Sequence, residues 1–514
     1  MSSSKDLGPL QSLIARLYIF IQTIIALIFK PSPPRKEPTQ SFGRIAVIGA
    51  GLSGISSAAH AIAHGFDVVI FEANDNVGGI WANVNSTSGL QLNSLLYRFH
   101  PSVIWSRGFP LRDEILGEIS RIWREYKLES KTRFNTPVTS VRRVNSPGTG
   151  GDIDTDPWKN GHARWIVNDG QEGVFDAVIV TIGTCGAPKW VDLKGMPGGF
   201  IENKRARREH PSESEVTNDG EKTSTSDSDD NQKDRIEMNR RDPENTFAGP
   251  ILHSSELDSP EGSQIQGKTV AIIGSGASGV EAAETSLEKG AKHCAVIARD
   301  DKWIIPRNMF IDVLIAMQPF GREMPLSFLW EGFLKRWQYR GVEDLVPVRR
   351  GLFEGTPIVN DEFLYHVRSG RCDYVRGDTL RLTSKGVLVN ARSRISKPGD
   401  KGEDKEIEAD VVVLATGFER PSIDFLPRDL FPEGYARPDL YLQNFSTEDW
   451  SILMTNSAYI NAIALVDVRI LLVLLLDAGA RPTPKDMKLW VDLVRYLKRG
   501  AKGGALTFFT YMEL

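Results

Sequence analysis

Two short apolar runs, each leading directly into a glycine hexapeptide, limit what this chain can fold into. Arg44 to Ile48 reads RIAVI and is followed by Gly49-Ala50-Gly51-Leu52-Ser53-Gly54, while Val270 to Ile273 reads VAII and is followed by Gly274-Ser275-Gly276-Ala277-Ser278-Gly279. A strand, a tight turn and a small-residue helix in that order open a βαβ unit. Gly49 and Gly274 allow the turn. Gly51 and Gly276 carry no Cβ, so the backbone can approach a pyrophosphate, and Gly54 and Gly279 let the helix pack closely on its strand. The helix N-terminus then presents amide groups and a favourable dipole to the phosphates. The expected fold is α/β, with two Rossmann-like dinucleotide-binding domains.

The two units differ where their second strands end. The first ends at Glu72, 23 positions after Gly49, where an acidic side chain would meet ribose hydroxyls. The second, Ala295 to Ala298, ends in Arg299. A guanidinium there would pair with a 2′-phosphate that an acid would repel, which favours NADPH over NADH. Asp300 and Asp301 follow directly and leave the local charge mixed.

The string FEANDNVGGIW, Phe71 to Trp81, resembles the flavin-containing monooxygenase family. So do Phe247-Ala248-Gly249-Pro250-Ile251-Leu252-His253, an F-x-G-x-x-x-H sequence, and Ala415-Thr416-Gly417-Phe418. The resemblance covers about residues 43 to 500. It implies FAD at the first fingerprint, held by Gly49, Gly51, Gly54, Glu72, Gly79, Trp81 and Val138, and NADPH at the second, held by Gly274, Gly276, Gly279 and Arg299. Thr416 and Gly417 would lie where the chain returns to the FAD domain. Asn93, in LQLNSLLYRF, resembles the family's asparagine near the flavin and is the catalytic candidate. His253 reads as structural or domain-linking. Leu257 stands where the family pattern places an aromatic residue, which counts against the Baeyer–Villiger subgroup.

The implied activity is NADPH-dependent monooxygenation through a flavin hydroperoxide. One atom of dioxygen would enter a small lipophilic or nucleophilic molecule at nitrogen or sulfur, as in dimethylaniline N-oxidation. The alternatives are a Baeyer–Villiger monooxygenase, an oxidase that releases only peroxide, and a nucleotide-binding relative without catalysis. A dithiol reductase needs a redox cysteine pair, and Cys185, Cys294 and Cys372 stand far apart in sequence with no C-x-x-C spacing or metal-ligand cluster. The net charge of -4 over 514 residues shows no basic excess, so nucleic acid is not expected as a partner.

Five segments are expected. Residues 1–36 form an apolar anchor and linker, 37–200 the first part of the FAD domain, 201–246 a disordered insertion, 247–408 the NADPH domain, and 409–514 the rest of the FAD domain with C-terminal helices. The insertion is rich in Ser, Asp, Glu, Lys, Arg and Asn, and has too little apolar surface to offset the entropy of ordering. The leader, LIARLYIFIQTIIALIF at residues 13–29, is apolar apart from Arg16, Gln22 and Thr23. It lies at the lower length limit for a membrane span, and an amphipathic helix lying on the membrane or packed on the protein is the other reading. Lys30, Arg35 and Lys36 after it would keep the catalytic domains on the cytosolic side, with the endoplasmic reticulum as a candidate membrane.

Overall fold

The computed structural model describes residues 9–34, 41–144 without 92, 95 and 96, 163–209, 246–308, 311, 327–352, 357–454 without 438, and 461–497. A five-stranded parallel sheet has the order β17-β7-β1-β2-β3. Here β1 is Arg44–Ile48, β2 Asp67–Phe71, β3 Thr132–Arg133, β7 Ala177–Val180 and β17 Ile452–Met454. The interior of β1 is buried on both faces, as a strand covered on two sides requires. Helix α2, Leu52–Ala63, follows the first glycine turn and buries Ser56, Ser57, Ala58, Ala59 and Ala61 on one face of the sheet. The opposite face is covered by an antiparallel sheet of β4 (Val141–Arg143), β5 (Trp165–Val167) and β6 (Val174–Phe175).

The chain leaves this unit after β7, builds a second one and returns at β17. The second sheet has the order β15-β14-β13-β10-β9-β16-β8. Its strands are β8 (Ile251–His253), β9 (Thr269–Ile273), β10 (His293–Ala298), β13 (Cys372–Thr383), β14 (Gly386–Ala391), β15 (Glu403–Glu408) and β16 (Val411–Leu414). A small parallel pair, β11 (Ile304–Ile305) and β12 (Ile358–Val359), sits beside it. The sheet is parallel from β13 to β8, and β13, β14 and β15 form an antiparallel meander at its edge.

Two expectations change. The leader does form a helix, α1, over Pro9–Phe29, but among the described residues no helix is long and apolar enough to cross a membrane. One face of α1 is instead docked on the first unit. Tyr18 packs against its core, and Gln22, a polar interruption in the apolar run, is fully buried there. The expected disordered insertion begins with a helix, α3, Phe200–Glu209. Phe200 packs edge-on to Trp190 at 5.7 Å, and Lys204 pairs with Glu256 at 3.1 Å, so contacts outside the segment supply the order that its composition does not. Residues 210–245 of the expected insertion lie outside the described residues.

Candidate nucleotide-binding cleft

Both glycine fingerprints adopt the same turn. Gly49 has φ +105° and Gly274 has φ +117°, a region open to glycine and costly for other residues. A Cβ on Gly49 would lie 2.7 Å from the Thr181 carbonyl oxygen, and one on Gly274 would lie 2.5 Å from that of Ala415. A Cβ on Gly54 or Gly279 would come within 1.9 Å of the carbonyl of Gly49 or Gly274. Gly51 and Gly276 are the N-caps of α2 and of α4, Ala277–Glu288, and neither cap supplies a side chain to the first turn.

At the first site a second glycine backbone faces the fingerprint. Gly79, at φ +57°, approaches so closely that a Cβ on it would lie 3.0 Å from Gly51 Cα. The two bare backbones form a cradle that side chains would fill, which suits a pyrophosphate. Glu72 is buried at its edge. It accepts hydrogen bonds from the Ala50 amide at 2.6 Å and from the Asn74 amide and side chain, both at 2.9 Å. Trp81 lies on the turn of Gly79–Ala82, and its carbonyl accepts from Arg112 Nε at 3.1 Å. The backbone at 135–140 runs beside Glu72, where Thr136 N donates to the Glu72 carbonyl at 2.8 Å. Val138 follows on that edge and packs against the β4–β6 side of the sheet. Asn93 is buried at 2% exposure, next to the Gly108 backbone.

At the second site the surroundings are basic. Arg299, with a side chain 80% exposed, lines an open surface pocket together with Arg349, Arg350, Arg392 and Arg394. The two acids that mixed the charge are already engaged. Asp300 pairs with Arg350 at 3.0 Å, and Asp301 is held by Arg376 Nε at 2.9 Å and by the Tyr374 hydroxyl at 3.0 Å. Lys302 is a site residue that sequence reasoning missed. Its amine lies 3.7 Å from where a Gly276 Cβ would stand, directly over the fingerprint turn. Burial and the neighbouring Arg350 push its pKa down. The one signal in the sequence was its place three residues after Arg299.

The carboxyl ends of the two central sheets meet. After β7 the chain at 186–189 pairs with the chain at 417–419 after β16. Gly186 N donates to the Glu419 carbonyl, Glu419 N to the Ala187 carbonyl, both at 2.7 Å, and Lys189 N to that of Gly417 at 2.9 Å. Thr416 donates its hydroxyl to the Lys189 carbonyl. His253 is fully buried at this junction. Its Nε2 donates to the Gly417 carbonyl at 2.9 Å, Nδ1 faces Ser255, and burial lowers its pKa, so the ring is a neutral tie between the crossovers. The same geometry explains the rest of the F-x-G-x-x-x-H segment. Phe247 is buried, and a Cβ on Gly249 would lie 2.2 Å from the Asp410 carbonyl. Leu257 is buried in the second core.

The loop after Trp81 also crosses between the units. Asn85 donates to the Ser254 carbonyl at 2.7 Å, the hydroxyls of Thr87 and Thr285 lie 2.7 Å apart, and Ser88 bonds Glu281. Glu281 and Glu284 on α4 are carboxyls that no sequence motif singles out. Burial raises both, Glu284 to about 7, with Arg307 opposing the shift.

The cysteines are closer in space than in sequence. Cys294 and Cys372 are register partners on β10 and β13. Both are buried free thiols, and burial pushes Cys294 up to about 12 and raises Cys372 as well, so neither supplies a thiolate near neutral pH. Among the described residues there is no cluster of three metal-ligating side chains.

The comparisons agree with this architecture. Residues 47–110 match the NAD(P)-binding Rossmann-like domain. The chain is 26% identical over 288 residues to an uncharacterized monooxygenase of Sinorhizobium fredii, covering 55% of this chain and 34% of that protein. It is 24% identical to putative flavin-containing monooxygenase 2 of Arabidopsis thaliana, covering 73% of this chain and 72% of the relative. It is also 24% identical to a Baeyer–Villiger monooxygenase of Pseudomonas aeruginosa, covering 58% and 46%. The chain thus spans from about a third to about three quarters of these relatives. The solved structure of OTEMO in complex with FAD and NADP superposes with a TM-score of 0.60 at 19% identity, over 93% of this chain and 97% of that one. The chain is thus similar to flavin-containing monooxygenases and to Baeyer–Villiger monooxygenases, and it shares the fold of a structure solved with FAD and NADP.

Proposed function

We propose that the chain is an NADPH-dependent FAD monooxygenase that transfers one oxygen atom from dioxygen to nitrogen or sulfur of a small lipophilic or nucleophilic substrate. The observation that carries this reading is the meeting of two unlike nucleotide sites at one junction. One has an acid at its strand end, the other a basic wall. Nucleotides bind outside the carboxyl ends of such sheets, and here those ends converge.

Gly51, Gly79 and the α2 N-terminus would hold the FAD pyrophosphate, with Glu72 on a ribose. Gly276, Lys302 and the α4 N-terminus would hold that of NADPH, with Arg299 and Arg350 toward the 2′-phosphate. FAD, when bound, supplies hydride acceptance and reaction with dioxygen. The protein's part is to bring the two cofactors together, exclude water and present donors near the flavin. Asn93 is the side chain proposed for that last role. Leu257, packed in the second core, supplies no aromatic group to the cleft, which favours N- or S-oxygenation over the Baeyer–Villiger alternative. The test is a screen of amines, thioethers and ketones for products heavier by one oxygen atom. Full conversion of NADPH electrons to hydrogen peroxide with every compound would defeat the proposal.

We also propose that α1 rests on a membrane surface, with the catalytic units on the cytosolic side. Leu13, Leu17, Phe20, Ile24 and Leu27 form one exposed stripe along it at helical spacing. Flotation of the full chain with phosphatidylcholine–phosphatidylserine vesicles is the expected result. Equal flotation of a Leu17→Ser/Phe20→Ser/Leu27→Ser variant would remove the stripe from the account.

A further inference from the structure

The buried face of α1 makes contacts that packing alone does not require. The Gln22 side chain donates from Nε2 to the Trp105 carbonyl at 2.9 Å, and its Oε1 accepts from the Trp105 amide at 2.9 Å and from Arg98 Nη2 at 3.0 Å. One amide side chain thus saturates both backbone groups of Trp105, as a neighbouring strand would. Arg98 in turn donates to the carbonyls of Pro101, at 3.1 Å, and Val103. One turn earlier on α1, the Tyr18 hydroxyl bonds the Ser94 hydroxyl, which also donates to the Arg107 carbonyl at 2.9 Å. Ser94 N donates to the Gly108 carbonyl at 2.8 Å, and a Cβ on Gly108 would lie 3.3 Å from Asn93 Nδ2. Asn93 and Ser94 therefore lie beside the 105–108 segment, and α1 bonds Ser94, Arg98 and Trp105.

The far end of the helix is fixed independently. Lys30 pairs with Glu125, the Tyr126 hydroxyl donates to the Pro31 carbonyl at 2.6 Å, and Arg469 Nη2 donates to that of Phe29 at 3.3 Å. Neither the leader's anchoring nor the cofactor fingerprints call for a fully buried glutamine on the inner face of an apolar helix.

We infer that the inner face of α1 has a positioning role in the site, with Gln22 and Tyr18 holding Ser94, Arg98 and the 105–108 segment so that Asn93 faces the flavin site. The inference rests on the role proposed above for Asn93. An apolar residue at position 22 would leave the Trp105 amide and carbonyl and an Arg98 N–H unpaired in a buried site, and the segment would loosen to reach water.

The experiment uses the full chain loaded with FAD, N,N-dimethylaniline as the probe, and the variants Gln22→Leu, Gln22→Glu, Tyr18→Phe, Asn93→Ala and Ile28→Ser, the last at an exposed position outside the apolar stripe. For Gln22→Leu we expect flavin content and KM for NADPH within about twofold of the parent. The share of NADPH electrons released as hydrogen peroxide rises severalfold, as in Asn93→Ala. Amide exchange over 97–108 quickens about tenfold or more, with 44–71 unchanged. Gln22→Glu keeps both acceptor contacts but loses the donor to the Trp105 carbonyl, and recovers only part of the coupling, while Ile28→Ser changes neither exchange nor coupling. Tyr18→Phe, which loses one hydrogen bond, shows the same pattern more weakly and carries the test if Gln22→Leu does not fold. Unchanged exchange and coupling in both inner-face variants overturns the inference, as does a loss explained wholly by lowered flavin content. Unchanged coupling in Asn93→Ala, or a parent that releases all electrons as peroxide, counts against the proposed function instead. The exchange result then decides the positioning role alone.

Discussion

The two glycine turns are near copies, yet what stands beside them is opposite in charge. Gly51 and Gly276 cap their helices with φ of -72° and -74°, and the Cβ test at Gly54 and Gly279 meets a carbonyl at the same 1.9 Å. Beyond the turns, the first site places a buried carboxylate, Glu72, against the Ala50 amide. The second places Lys302 over the turn and an arginine cluster at the strand end. On the proposed function, a shared backbone device would fix where each pyrophosphate lies, and a few flanking side chains would decide which nucleotide it belongs to.

The sharpest way to break the comparison is to fill one turn. Gly54→Ala puts a methyl against a backbone carbonyl, and we expect a protein that retains no flavin after gel filtration, read by absorbance. Retained yellow colour would show that the turn does not hold FAD. The basic wall comes next. Arg299→Ala combined with Arg350→Ala should raise KM for NADPH about 10- to 100-fold and leave KM for NADH nearly unchanged, because the lost charge pairs with a 2′-phosphate that NADH lacks. Lys302→Met should weaken both nucleotides alike, since it stands over the turn. Equal effects of the two changes on NADH would erase the distinction between turn and wall.

Smaller effects separate the regions by pH. Burial raises the Glu284 carboxyl to about 7, so its stabilising protonated form persists at low pH and is lost as pH rises through that value. Glu284→Gln should stabilise the protein above pH 7 by on the order of 2 kcal/mol and do little at pH 5. His60 on α2 and His100, both buried with rings 4.9 Å apart, behave in the opposite sense. Burial lowers them to about 3 and about 2, with Arg469 next in weight for His60 and His60 itself for His100. The first unit should thus lose up to about 1.4 kcal/mol per histidine for each pH unit below about 6.5. Thermal melts from pH 5 to 8 read both trends, and a flat profile in the variant and the parent would contradict them.

What could be read in the sequence was what is local. Gly49 and Gly274 were legible because strand, turn and helix follow one another within a dozen residues. The strand Thr269–Ile273 ends where its composition says it should. The arginine wall was legible at Arg299 alone, because Arg350 and Arg392 reach the same pocket from other elements. Gln22 read as an interruption in an apolar run. Its partner Trp105 lies 83 residues on, and nothing in either segment alone shows that they meet. Cys294 and Cys372 illustrate the same limit, since adjacent parallel strands bring together residues from distant parts of the chain. Ser88 meets Glu281 from 193 residues away, a pairing that neither segment shows alone.

On the proposed function, two turns hold two different nucleotides and bring them to one junction. Anaerobic mixing of the FAD-loaded Gly279→Ala variant with NADPH tests it most directly, followed as the loss of the flavin's visible absorbance. The account predicts a variant as yellow as the parent whose flavin is reduced at least about 100-fold more slowly at the same NADPH concentration. A variant that loses its flavin, or one that NADPH reduces as fast as the parent, would contradict it.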